Sequence, residues 1–520
     1  MRGEKLHEPK QKEDSNCGVK LIWPQLNGFC AYTGIFSVQK NQIRYLNKTK
    51  KPVMKKIVFV IIVFSIFISC NKIKNQISPE TLKCEYMVNP IGIDSPNPRL
   101  SWQIKTKRQG VSQRAYQVFV DTDSSEVAGS NGNIWESGKI TSDRVPIIYQ
   151  GQKLNPFTRY FWGIKVKDEG GVWSNLSPVA FFETGMMVKE NWKGNWITDV
   201  SNYNLKPAPY FRKNFGIQKK VKSARAYIAV AGLYELYMNG VKVGDHRLDP
   251  MFTRFDRRVL YVTYDVTKNL KQGENVLGVL LGNGWFNYQS TFRFKQAPWR
   301  ARPKFCIDMR VTYEDGSEEL VKTGKDWKTS LSPIVFNSIY TAEHYDARLE
   351  IPGWNMPGFD DSAWNEPKLV GAPTQNIEAQ VLHPIRDVEE IPAKEMIQID
   401  GKTYLYDFGR NISGICRITV SGDAGTTIRL KHAELLDKKG HVDQSNLDWM
   451  HNDQNGSDPF QTDIFILNGK GEETFMPRFN YKGFQYVEVT ADNPIQLKKE
   501  SLTAWFMHSD VPPGGEHPVI

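Results

Sequence analysis

The chain has 520 residues, 40% of them hydrophobic and 24% charged, with 14 Trp and 21 Tyr; this is an ordinary globular composition, too long for one core and suited to about three or four domains. Its net charge of +10 is concentrated at the start: residues 1–56 carry 12 Lys/Arg against 4 Asp/Glu, a net +8, which leaves +2 for everything after them. A folded surface able to track phosphates is therefore excluded, and no nucleic-acid partner is expected.

In chain order, residues 1–53 show no periodicity and read as a non-native or disordered leader. Met54-Lys55-Lys56 then precedes the apolar run 57–68 and Ser69-Cys70, the three parts of a bacterial secretory signal. The run is too short for a permanent membrane helix. A cysteine directly after it makes 54–70 look like a lipoprotein signal with Cys70 as the lipidated residue, so the protein is expected to be exported and lipid-anchored to the cell envelope. Residues 71–83 read as a polar tether. Cys84, Cys306 and Cys416 are too scattered for a disulfide framework or a metal motif.

Beyond the tether the pattern is all-β, a row of tandem β-sandwiches. In residues 84–187, Tyr116-Gln117-Val118-Phe119-Val120 and Tyr160-Phe161-Trp162-Gly163-Ile164-Lys165-Val166 alternate with period two, as strands with one buried face do. No helix of any length is readable there, and the segment resembles a fibronectin type III-like sandwich. Residues 190–385 centre on Leu233-Tyr234-Glu235-Leu236-Tyr237-Met238-Asn239-Gly240, where Asn-Gly predicts a tight hairpin because both residues tolerate positive φ. This unit resembles a galactose-binding-type jelly roll. A further β-sandwich, 388–503, opens with Tyr406-Asp407-Phe408-Gly409-Arg410-Asn411 and closes with Pro477-Arg478-Phe479 and Gly483-Phe484-Gln485-Tyr486-Val487-Glu488-Val489.

Together with Glu343-His344-Tyr345-Asp346-Ala347-Arg348 and the stretch from Pro352-Gly353-Trp354 to Trp364, these motifs stand in the order and spacing of bacterial α-L-rhamnosidases, which the chain resembles over roughly residues 90–510. The resemblance implies an inverting hydrolase of terminal α-L-rhamnose on glycans or glycosides, whose two glutamates lie in a helical α/α barrel. Trp505-Phe506-Met507-His508-Ser509-Asp510 resembles the entry to that barrel, and 504–520 reads as the start of the link to it. No residue matches either catalytic glutamate, so none is assigned. The expectation is the non-catalytic front portion of the enzyme, partnered by a rhamnose-containing glycan and by a barrel that could be separately encoded. The alternative is a lipid-anchored carbohydrate-binding protein without hydrolase activity.

Other chemistry finds little support. Gly-x-Ser-x-Gly and phosphate-loop patterns are absent, and Gly282-Asn283-Gly284 is too short to hold a dinucleotide. Among acid pairs, Glu343 with Asp346 and Asp360 with Asp361 read as solvated faces and turn-formers. His432 and Glu434 share a strand face and read as a surface ion pair. Sugar sites combine a flat ring with amide groups, which points to Asn239, Asn283, Trp285 and Tyr288 in the jelly roll. The resemblance allows calcium there, although no calcium-ligand motif is matched and the metal is left open.

Overall fold

Period-two alternation becomes sheet throughout the computed structural model, which describes residues 77–202, 204, 206–287, 297–447 and 459–511. The leader, the signal segment with Cys70 and Tyr288 lie outside the described residues, as does the chain after Val511. The fold is all-β, in tandem sandwiches.

In the first unit a three-stranded sheet, Ser78–Cys84, Arg99–Lys105 and Ile147–Ile148, faces a six-stranded one built on Gln113–Asp121 and Arg159–Asp168. Along Arg159–Asp168 the side chains of Tyr160, Trp162, Ile164 and Val166 all point inward and are buried, as the alternation predicts. One short helix, Ser124–Ala128, is a single turn capped by Asp123, whose Oδ1 accepts from Ser125 N at 2.8 Å.

The second unit stacks a seven-stranded sheet, centred on Val221–Ala231 and Lys304–Tyr313, on a five-stranded one that runs Val241–Lys242, Leu233–Met238, Gly273–Gly282, Pro209–Ile217, Lys328–Leu331. Ile228, Leu236, Val279, Ile307 and Trp327 fill the space between them. Asn239 and Gly240 turn the hairpin with φ of 51° and 86°, the left-handed pair a two-residue loop requires.

The third unit is a ten-stranded sheet threaded by the 19-residue strand Thr403–Ser421. Its opening motif is a bulge: the pairing register with Lys482–Ala491 shifts between Asp407 and Ile412, where Gly409 takes φ 75° and Asp407 Oδ1 accepts from Gly409 N at 2.6 Å. Two strands that lie in the 190–385 stretch of sequence, Ile334–Asn337 and Glu343–Asp346, extend this third sheet, the latter pairing in parallel with Thr462–Ile466. Alternation states which residues share a face but not which sheet a strand joins.

The outer face of the five-stranded sheet is covered as well. Tyr234, Leu236 and Met238 point into the second unit's core, while Leu233 points the other way, into the core of the third. Gly282 makes the closest approach possible: a Cβ there would sit 2.4 Å from Cγ of the Phe479 ring. Phe479 is 1% exposed, and burying such a ring contributes about 1.5–3 kcal/mol.

Candidate functional site

Of the three sugar-site candidates among the described residues, the structure sets Asn239 apart from Asn283 and Trp285. Asn239 and Asn283 follow Met238 and Gly282, residues at opposite ends of one antiparallel ladder, which sets them roughly 20 Å apart. Asn239 is buried and its amide is fully occupied, with Nδ2 donating to Asn269 O (3.0 Å) and Asn275 Oδ1 (2.8 Å) and Oδ1 accepting from Val276 N (2.9 Å). Asn283, also buried, donates to Lys206 O and Asn337 O and accepts from Asn287. Trp285 is half-buried between two cores, 5.7 Å from the exposed ring of Phe252. Among the described residues no group of three or more His, Cys, Asp and Glu is placed to hold a metal ion.

The acid pairs also rearrange. Asp360 is exposed and caps Ser362 N at 3.0 Å, a turn-former as expected. His432 and Glu434 form no ion pair: the strand ends at Ala433, and His432 is fully buried with Nδ1 on Gln461 O at 3.1 Å. Burial holds its imidazole down to about 4, so it is neutral. Glu343, expected on a solvated face, is instead 0% exposed: its strand is flanked on both sides in the third unit's sheet, and Arg478 and Phe479 close over its carboxyl.

That burial creates the most perturbed electrostatics at the seam between the second and third units. Glu343 Oε2 accepts from the backbone N–H of Arg478 (3.0 Å) and of Phe479 (3.1 Å), and its own N–H donates to the buried Asp463, which pairs with Lys482 at 2.7 Å. The Arg478 guanidinium lies between two carboxylates, with Nε 3.5 Å from Glu235 Oε2 and Nη1 3.7 Å from Glu343 Oε1. Glu235 also receives Lys242 Nζ at 3.0 Å and the Tyr237 hydroxyl at 2.6 Å. The two carboxyls separate accordingly. Burial pushes Glu343 up to about 7 despite Arg478, whereas at Glu235 burial is overcome by Lys242 and Arg478, which hold it down to about 2.

A carboxyl pair split in this way is the signature of an acid and a base. Here the geometry forbids that use, because Glu343 has no exposed atom to offer a substrate and two backbone N–H groups occupy Oε2. Sequence reasoning missed this cluster. The available signal was a glutamate, Glu235, among apolar residues on an alternating strand, opposite an arginine inside the Pro477-Arg478-Phe479 motif.

Three family models match consecutive stretches of the chain: Rha78A-like, N-terminal immunoglobulin domain, over residues 79–188; alpha-L-rhamnosidase N-terminal domain, over 219–389; and bacterial alpha-L-rhamnosidase concanavalin-like domain, over 397–508. The chain carries the N-terminal β-domains of the α-L-rhamnosidase family. A protein of Formosa agariphila named alpha-L-rhamnosidase is 31% identical over 469 residues, covering 84% of this chain and 48% of the relative. Among solved structures, the alpha-L-rhamnosidase from Dictyoglumus thermophilum superposes with TM-score 0.76 at 38% identity, covering 83% of this chain and 49% of that one. The Streptomyces avermitilis alpha-L-rhamnosidase complexed with L-rhamnose gives 0.77 at 27%, covering 84% and 58%. The chain thus spans about half the length of the curated relatives it matches. In these rhamnosidase β-domains the seam joins the stretch matched by the N-terminal model to that matched by the concanavalin-like model.

Proposed function

We propose that this chain supplies the non-catalytic β-sandwich portion of an α-L-rhamnosidase, which hydrolyses terminal α-L-rhamnose from glycans or glycosides. The observation that carries this reading is the fate of the split carboxyl pair. Glu235 and Glu343 are both bound into a seam between sheets, one by Lys242 and Arg478 and the other by backbone N–H groups, with Glu343 closed to solvent. Glycoside hydrolysis needs an acid and a base that flank the scissile bond with room for the sugar and water between them. Sandwiches joined in this way act as a rigid support, and the acid and base belong to another part of the enzyme. An aryl α-L-rhamnoside incubated with the purified chain is expected to release no aryl alcohol above the buffer rate. Release that Glu343→Gln or Glu235→Gln abolishes would overturn the reading.

A further inference from the structure

The second unit's seven-stranded sheet also has an outer face, and the first sandwich is fitted to it. Tyr227, Ala229 and Tyr261 on that face share a core with Phe157 and Met186, and Phe157 meets Tyr227 edge-on at 5.5 Å. The fit is close enough to require glycine at two places. A Cβ on Gly92 would sit 1.9 Å from Thr263 Oγ1, and one on Gly185 would sit 2.1 Å from the Tyr261 hydroxyl. Charge acts across the same contact: Glu183, 5% exposed, pairs with Arg159 of its own sandwich at 3.0 Å and accepts from Arg225 of the second unit at 2.7 and 3.1 Å.

Asp94 ties three segments together. Its Oδ1 accepts from the Tyr261 hydroxyl (2.6 Å) and from Met187 N (2.7 Å) in the segment that connects the two units. Its Oδ2 accepts from Ala379 N (2.8 Å) on Ile377–Ala379, the outermost strand of the seven-stranded sheet. The Tyr261 hydroxyl in turn accepts from Met186 N at 2.9 Å. One carboxylate thus holds the connection and two strands of the second unit.

The backbone at the contact is held in a costly conformation. Met187 and Phe157 both have φ of 56°, the left-handed region, which a non-glycine residue keeps only where its surroundings over-determine it. Domains of one chain move against each other by default. Here a hinge at 186–188 would have to break the bonds to Asp94 and Tyr261 together with the Glu183–Arg225 pair. We propose that the first sandwich and the second unit are one rigid body whose mutual angle is fixed by Asp94, so that the first sandwich is a built-in brace and not a swinging module. The inference is independent of the functional reading above and would hold equally for a binding protein.

Pulsed electron–electron resonance on the full chain tests it, with spin labels at Lys153→Cys in the first sandwich and Lys325→Cys in the second unit, both exposed. Cys17, Cys30 and Cys70 are replaced by Ser, while Cys84, Cys306 and Cys416 are buried. A single distance peak about 5 Å wide is expected, whereas a flexible connection of about six residues would spread it over roughly 13 Å. Asp94→Ala is expected to broaden the peak at least about twofold with both sandwiches still folded. Gly185→Ala, which drives a methyl against the Tyr261 hydroxyl, is expected to broaden or displace it, and carries the test if the first variant does not fold. A broad or two-peaked distribution in the parent overturns the rigid body. A peak unmoved by either folded variant overturns the role given to Asp94 and the close fit at Gly185.

Discussion

Arg478→Met is expected to lower the unfolding free energy of the chain by about 3–5 kcal/mol, because it leaves two carboxyls in the seam without their shared cation. Glu235 would keep Lys242, but Glu343, fully buried, would lose its cationic neighbour. The flexible thioether cannot replace a planar donor that also lies over the Tyr345 ring at 5.4 Å. The comparison that gives the number meaning is Arg410→Met. Arg410 pairs with Glu389 in the open, with side chains 52% and 51% exposed, and such surface pairs are worth about 0–1 kcal/mol. Denaturant titration of both variants reads the difference directly. An Arg478 variant no less stable than the Arg410 variant would show that the seam does not depend on its charge.

The second large effect is a pH dependence assigned to one residue. Glu343 titrates at about 7 in the folded chain against an ordinary 4.5, with burial as the main cause, opposed by Arg478 and reinforced by Asp463. Between those two values the folded state keeps a proton that the unfolded state has released. Stability from this group therefore falls as pH rises through the window, by about 3 kcal/mol in all. Glu235 has the opposite sign: held at about 2, it contributes stability that is present above 4.5 and lost as pH falls toward 2. Glu343→Gln isolates the first effect, since the amide oxygen can still accept from Arg478 N and Phe479 N and carries no charge to desolvate. The variant should gain on the parent by about 3 kcal/mol between roughly pH 5 and pH 8. A difference that stays flat across that range would mean Glu343 titrates normally.

Much of the architecture was legible because alternation is a local property. Tyr160, Trp162, Ile164 and Val166 face one core just as their spacing indicates, and Asn239-Gly240 makes the turn that its residue types require. The motifs that carry the family resemblance also have visible structural reasons: Gly409 supplies the positive φ of a bulge, and Tyr406 sends its hydroxyl to Lys498 O at 2.7 Å. What covers a face is a non-local property, and there the sequence was silent. Glu343 looked solvated because nothing near it in sequence shows that Arg478 and Phe479 close over it. Gly282 could be rejected as part of a nucleotide loop, but its use became clear only with the Phe479 ring against it. Asn239 and Asn283 suited sugar binding as residue types, yet the ladder puts them at opposite ends and their amides are bonded to the protein itself.

The carboxyls that could have formed an acid and base pair instead hold two sheets together through a shared arginine. A double-mutant cycle with Glu343→Gln and Arg478→Met tests this most directly, with unfolding free energies measured near pH 8. The predicted coupling between the two sites is about 1–3 kcal/mol, the range for groups in one charged network. Additivity within about 0.5 kcal/mol would contradict it and leave Glu343 and Arg478 as independent residues that merely lie close together.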